Sequence, residues 1–204
     1  MADSDILSAL KPVVVALDEM GVAYEIGGSV ASSACGVPRT TLDVDVVVAL
    51  RRDHVKEFVS RLQSRYYVDE NAAFDAVERQ SSFNLIHLET MLKVDVFVLK
   101  SRVYDQGAFR RKRKDHLYLD PEGDSFYFAS PEDVVLNKLE WYRLGRELSE
   151  RQWTDVLGVL KVQCGAVDIP YMRHWAGILG ITDLLERAFV EAGLTDKSRI
   201  GMDG

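Results

Sequence analysis

An apolar stretch, Val22-Ala23-Tyr24-Glu25-Ile26, runs into Gly27-Gly28-Ser29, and Asp43-Val44-Asp45 begins fifteen residues after Gly28. Two successive residues without side chains let a strand end in a tight turn and bring backbone close to a ligand. From Ser29 to about Cys35 a short helix can begin, and a hydroxyl with free N–H groups at a helix start forms a seat for phosphate. Along 42–49, alternation places Asp43 and Asp45 on one strand face and Leu42, Val44, Val46 and Val48 on the other, where they can be buried. Adjacent carboxylates repel unless a cation lies between them, and a hard divalent ion prefers such oxygens. Taken together, these features read as a metal-dependent nucleotide site.

A third acid lies downstream. In Lys93-Val94-Asp95-Val96-Phe97-Val98-Leu99, the valines share one side and Asp95 faces the other. Asp43, Asp45 and Asp95 on neighbouring strands could hold two ions that activate an attacking hydroxyl and neutralise the α-phosphate and leaving pyrophosphate. That is the chemistry of nucleotidyl transfer. Lys93, on the same strand face as Asp95, either leans toward the site or offsets its charge.

Composition narrows the alternatives. The 204 residues, 47% of them hydrophobic, suffice for one domain or two small ones. A net charge of -7 and a pI near 5.2 argue against broad charge-driven adhesion to nucleic acid or anionic lipid. The run Arg110-Arg111-Lys112-Arg113-Lys114 would suit an RNA backbone or a triphosphate tail, or form a solvated loop or arm. No aromatic residue interleaves it, so base stacking finds no support there. Cys35 and Cys164 read as ordinary small residues, and His54, His87, His116 and His174 lack metal-ligand spacing. Apolar runs are strand-sized and the acidic N-terminus lacks a signal-peptide pattern, so the expectation is a cytoplasmic protein without a membrane span.

Periodicity predicts a helix over 4–20, a strand from 22 to 26, strand 42–49, a helix across about 53–64, and strands 82–88 and 93–99 joined as a hairpin. Residues 102–129 are the least regular, with Pro121-Glu122-Gly123-Asp124 as a turn between short strands. From Ser130-Pro131-Glu132-Asp133 the chain reads as helix to about Leu144, then from Ser149 through about Val162, with two short helices after Asp168 and Thr182. Trp141, Tyr142 and Trp153 read as packing residues. The pattern is α+β, a mixed sheet flanked by helices with a helical C-terminal half.

The series Gly27-Gly28-Ser29, Arg39-x-Thr41-x-Asp43-x-Asp45, Phe83-Asn84-Leu85-Ile86-His87, Lys93-Val94-Asp95 and Pro131-Glu132-Asp133 leading to Lys138 resembles the minimal nucleotidyltransferases of the DNA-polymerase-beta-like superfamily. Within it the chain resembles the branch related to the nucleotidyltransferase toxin of abortive-infection systems. The resemblance implies a palm domain over 1–129 and a C-terminal helical lobe over 130–204. It implies an NTP substrate, with Ser29 and the Gly27-Gly28 backbone on its β- and γ-phosphates. Asp43 and Asp45 would bind two Mg2+ or Mn2+ ions, and Asp95 would bind the catalytic one. Lys138 matches a lysine that reaches the triphosphate, and Arg39 either caps its loop or touches phosphate. Arg151 and Asp155 roughly reproduce a further motif of the toxin-like relatives. The acceptor would be a hydroxyl on RNA, protein or a small molecule. The alternative is a nucleotide-binding or toxin–antitoxin regulatory module without turnover, with a small helical partner protein. A third reading is an RNA-binding protein with no nucleotide site.

Overall fold

The computed structural model describes residues 3–41, 43–117 and 123–194, with side chains from residue 5 onward. Leu42, the turn residues Pro121 and Glu122, and the end of the expected lobe beyond residue 194 therefore lie outside the described residues. In chain order the elements are α1 (Asp3–Glu19), β1 (Tyr24–Ile26), α2 (Gly28–Cys35), β2 (Asp43–Val48), α3 (Val55–Leu62), β3 (Tyr66–Tyr67), α4 (Glu70–Arg79), β4 (Ser82–His87) and β5 (Lys93–Val98). They continue with α5 (Val103–Arg110), β6 (Arg113–His116), β7 (Ser125–Phe128), α6 (Pro131–Leu144), α7 (Glu150–Val162), α8 (Ile169–Leu179) and α9 (Thr182–Ala192).

The strands form one mixed sheet in the order β3-β4-β5-β2-β1-β7-β6. β2 and β5 run parallel at its centre, β1 runs antiparallel to β2, and β4 returns antiparallel beside β5 as the expected hairpin. Alternation decides which face is buried. Val44, Val46 and Val48 of β2 and Val94, Val96 and Val98 of β5 turn to one side and are buried. On that side Phe58 of α3 meets Phe83 of β4 edge to face, and the Tyr66 hydroxyl donates to the Ala9 carbonyl of α1 at 2.8 Å. The opposite face carries Asp43, Asp45, Lys93, Asp95 and Glu25.

The C-terminal helices start where their caps lie. The Ser130 hydroxyl accepts from the Asp133 amide, and Ser149 accepts from the Gln152 amide. α6 and α7 pack on each other and on α2, and one continuous buried cluster extends from Ile6 to Phe189. No helix among the described residues is long and apolar enough to cross a membrane.

Three features depart from the sequence reading. α4 appears where no helix is expected, although Ala73, Phe74, Ala76 and Val77 line its inward side and the Asp69 side chain caps its start. In the irregular region β6 and β7 are the short strands expected about the turn, but α5 is a helix that was not expected, and the basic run is divided between the end of α5 and β6. Arg111 lies over the Tyr171 ring at 3.8 Å and reaches Glu132 at 3.2 Å, while Arg113 and Lys114 stand exposed on the edge strand β6. Of the three aromatics, Tyr142 and Trp153 pack together at 5.4 Å between ring centres, but Trp141 points outward and is 53% exposed.

Candidate active site

The site begins at the end of β1. Gly27 donates its N–H to the Asp45 carbonyl at 2.9 Å, which ties the turn to β2. Gly28 follows with φ +55°, in the left-handed region, and a Cβ there would land on the Asp45 carboxylate. Only glycine satisfies both conditions. α2 then starts at Gly28, one residue earlier than expected, and its first-turn N–H groups have no partner within the helix. Thus the turn, the helix start and Asp45 are in direct contact.

The parallel ladder between β2 and β5 sets Asp43 opposite Lys93 and Asp45 opposite Asp95. Register partners share a face, and adjacent strands lie about 4.8 Å apart, so the three aspartates stand together on the open side of the sheet. Burial first, then the charges of Asp43 and Asp95, push the Asp45 carboxyl up to about 6. A cation would relieve that repulsion, and the donor set of three carboxylates suits a hard divalent ion. Two of the six oxygens are already engaged. Asp43 Oδ1 accepts from the Thr41 hydroxyl at 2.7 Å, and Asp95 Oδ2 pairs with Lys93 Nζ at 2.7 Å. Among the described residues no three His, Cys, Asp or Glu side chains are gathered closely enough to hold a metal ion as they stand.

The start of α2 is bordered by a second charged group. Arg39 donates through Nε and Nη2 to the two Asp155 oxygens at 2.7 and 2.8 Å, and through Nη2 to Ser29 Oγ at 2.5 Å. Its Nη1 also donates to the Thr40 carbonyl, so Arg39 does cap its loop. Lys138 Nζ donates to Asp155 Oδ2 at 2.8 Å, with both side chains buried. Burial alone would raise the Asp155 carboxyl, and the bonds from Arg39 and Lys138 outweigh it and hold the group below its ordinary value. The Asp155 bond raises Arg39 in turn. One carboxylate therefore aligns two cations beside Ser29 at the start of α2.

All eight residues singled out by the sequence lie in or beside this region: Gly27, Gly28, Ser29, Arg39, Asp43, Asp45, Asp95 and Lys138. The sequence reading named Thr41 in its motif without giving it a role, and it gave Asp155 only a loose motif match. An acid amid Trp153, Val156 and Val159 on the inner side of α7 is the signal that points to it, since a buried carboxylate needs partners. Arg151, the other half of that match, is exposed at the start of α7 and takes no part in the network.

No family model and no curated protein matches the sequence. Solved structures do match. The antibiotic-resistance factor ANT(2'')-Ia aligns over 93% of this chain and 100% of its own, with a TM-score of 0.56 at 14% identity. An antigenic nucleotidyltransferase-like protein from Paracoccidioides brasiliensis aligns over 91% of this chain and 92% of its own, with a TM-score of 0.51 at 17% identity. The fold is that of the nucleotidyltransferases. ANT(2'')-Ia in complex with adenylyl-2''-tobramycin also matches, at a TM-score of 0.56 and 11% identity over 86% of this chain and 97% of that one. In this nucleotidyltransferase fold, the sheet face bearing the aspartates and the start of α2 form the candidate active site.

Proposed function

We propose that the chain is a nucleotidyltransferase that moves a nucleoside monophosphate from an NTP to an acceptor hydroxyl and releases pyrophosphate. The observation that carries this reading is the register of Asp45 with Asp95 beside a glycine turn whose Gly28 must lack a side chain for Asp45 to stand where it does. On this reading 1–129 is the palm and 130–204 the helical lobe, with the nucleotide between them. Adenylyl-2''-tobramycin in a structural neighbour is an adenylated antibiotic, a product of the same type of reaction.

The chain's own residues position and neutralise. Ser29 and the N–H groups at the start of α2 hold the β- and γ-phosphates, and Arg39 and Lys138, aligned by Asp155, balance the charge of the leaving pyrophosphate. The acceptor oxygen forms a bond to the α-phosphorus as the bond to the β-phosphate oxygen breaks, and pyrophosphate leaves with the electron pair. Asp95 takes the acceptor proton. Asp43, Asp45 and Asp95 would hold Mg2+ or Mn2+, which when bound lowers the hydroxyl pKa and stabilises charge on the phosphoryl oxygens.

Incubation of the full chain with each α-labelled NTP, Mg2+ or Mn2+, and total RNA or cell lysate tests the reading. Label on a macromolecule or small acceptor, with pyrophosphate released, is the expected outcome. Asp45→Asn should abolish both while leaving the circular dichroism spectrum unchanged. Full turnover by that variant would sink the assignment, and NTP binding without pyrophosphate release would favour a module without turnover.

A further inference from the structure

One row of side chains on the aspartate face takes no part in the site described above. Strand register sets Asp45 and Asp95 in one row with Asn84, and Glu25, Val47, Phe97 and Ser82 in the next, about 7 Å further along the strands. Val47 and Phe97 are half-buried and make an apolar floor beside the acids. At the β1 end of that floor stands Glu25, 4% exposed, with its Oε2 sealed from solvent and unpartnered. The charged groups that act on it are Asp133 of α6, Asp105 of α5 and Lys112 just after α5. Each of these is engaged elsewhere. Asp133 accepts from the Ser130 and Tyr171 hydroxyls, Asp105 is held by Arg102, and the Lys112 ammonium donates to the Phe109 carbonyl at 3.2 Å. Of the four, Glu25 alone is left without a partner among the described residues. A buried carboxylate in that position is costly, and a cationic ligand would relieve it. No three acids gather there closely enough for a metal ion, among the described residues, so the cation that fits is an organic ammonium, which needs a single carboxylate.

We propose that this row is the acceptor subsite and that the acceptor is a small hydroxylated amine, with its carbon skeleton over Val47 and Phe97 and its ammonium on Glu25. The inference rests on the nucleotidyltransferase reading above and names the acceptor class. The direction of transfer supports it. The glycine turn and the start of α2 continue from β1 past Asp45, whereas Glu25 lies two residues back along the same strand. On that reading pyrophosphate leaves toward the start of α2, and in-line displacement brings the attacking oxygen from the opposite side, where this row lies. An acceptor hydroxyl about 7 Å from the ammonium stands at Asp95, which takes its proton. Burial chiefly, with Asp133 and Asp105 adding and Lys112 opposing, raises the Glu25 carboxyl to about 8, so near neutral pH the free site holds a proton that the incoming ammonium displaces to solvent. An anionic RNA backbone finds no counter-charge in this row.

The full chain with α-labelled NTP and Mg2+, offered a pool of amino sugars and amino alcohols, the same pool N-acetylated, and total RNA in separate arms, tests this. Label in the free-amine pool that is lost on N-acetylation is the expected result. Absence of label from the free-amine pool, including the case in which RNA alone is labelled, or equal label in the N-acetylated pool, would overturn the proposal. Glu25→Gln keeps the shape of the side chain and removes its charge. It should raise the KM for the labelled amine about tenfold or more and leave the KM for the NTP as in the wild type. A raised KM for the NTP instead would put the nucleotide, not the acceptor, on this row. Should Glu25→Gln fail to fold, the comparison of the two pools decides alone. Thermal stabilisation by NTP separates this inference from the functional reading: stabilisation without label in the free-amine pool defeats the acceptor class only, whereas no stabilisation by any NTP and no label in any arm defeats the nucleotidyltransferase reading itself.

Discussion

Gly28 is where backbone geometry and site chemistry meet in one residue. Its φ of +55° already disfavours any side chain, and the direction in which a Cβ would point is filled by Asp45. Gly27 differs, since its φ is -116° and a Cβ there meets nothing within 4 Å. Gly28→Ala should therefore cost at least about 1–2 kcal/mol from the left-handed backbone alone and displace Asp45. Gly27→Ala should stay within about 0.5 kcal/mol of wild type, as substitutions in open space usually do. Urea unfolding of the two variants checks the difference, and pyrophosphate release should be lost in Gly28→Ala. Equal destabilisation by both would show that the turn, not the contact with Asp45, is what requires glycine.

At the scale of elements, α6 and α7 reach the start of α2 through one ion pair. Lys138 on α6 and Asp155 on α7 are both buried, and Asp155 also holds Arg39 from the loop after α2. Removing one partner strands the other. Asp155→Ala leaves the buried ammonium of Lys138 without its carboxylate, at a cost of about 3–5 kcal/mol. Changing both, Lys138→Met with Asp155→Leu, should recover most of that stability, because Arg39 is partly exposed and can turn to water. Neither protein should bind NTP as the wild type does. Thermal unfolding with and without each NTP measures both effects, and an unchanged shift by NTP in the double variant would remove Lys138 from the phosphate site.

Across the whole molecule, Glu25 couples stability to pH. It lies in the middle of β1, is 4% exposed, and its Oε2 has no hydrogen-bond partner. Burial chiefly, with Asp133 and Asp105 adding and Lys112 opposing, raises its carboxyl to about 8. An unfolded chain would lose that proton near pH 4.5, so between about 4.5 and 8 the folded state holds the extra proton and stability falls as pH rises. The contribution is fully present below that window and gone above it. Its slope is at most about 1.4 kcal/mol per pH unit. Melting temperatures of wild type and Glu25→Gln from pH 5 to 8.5 should diverge steadily in favour of the neutral variant. Parallel curves would show that Glu25 is ionised in the fold.

How much of this was legible in the sequence follows from the range of each interaction. The glycine turn, the alternation that separates Asp43 and Asp45 from Val44 and Val46, and the caps at Ser130 and Ser149 are local patterns, and a chain displays them without folding. Through them the sequence by itself determined an α+β chain and the residues that can carry its chemistry. α4 is the exception, since its Asp69 cap and its stripe of Ala73, Phe74, Ala76 and Val77 are local patterns too and were not part of the expectation. Only the tertiary structure decided which partners those residues found: the parallel pairing that puts Asp45 against Asp95, the bond of Lys93 to Asp95, the inward turn of Arg111, and the meeting of Arg39 with Asp155 across 116 residues of sequence. A charged side chain has no periodicity that names its partner. Its choice is made by which counter-charge lies within reach once the apolar face is buried and water has been excluded.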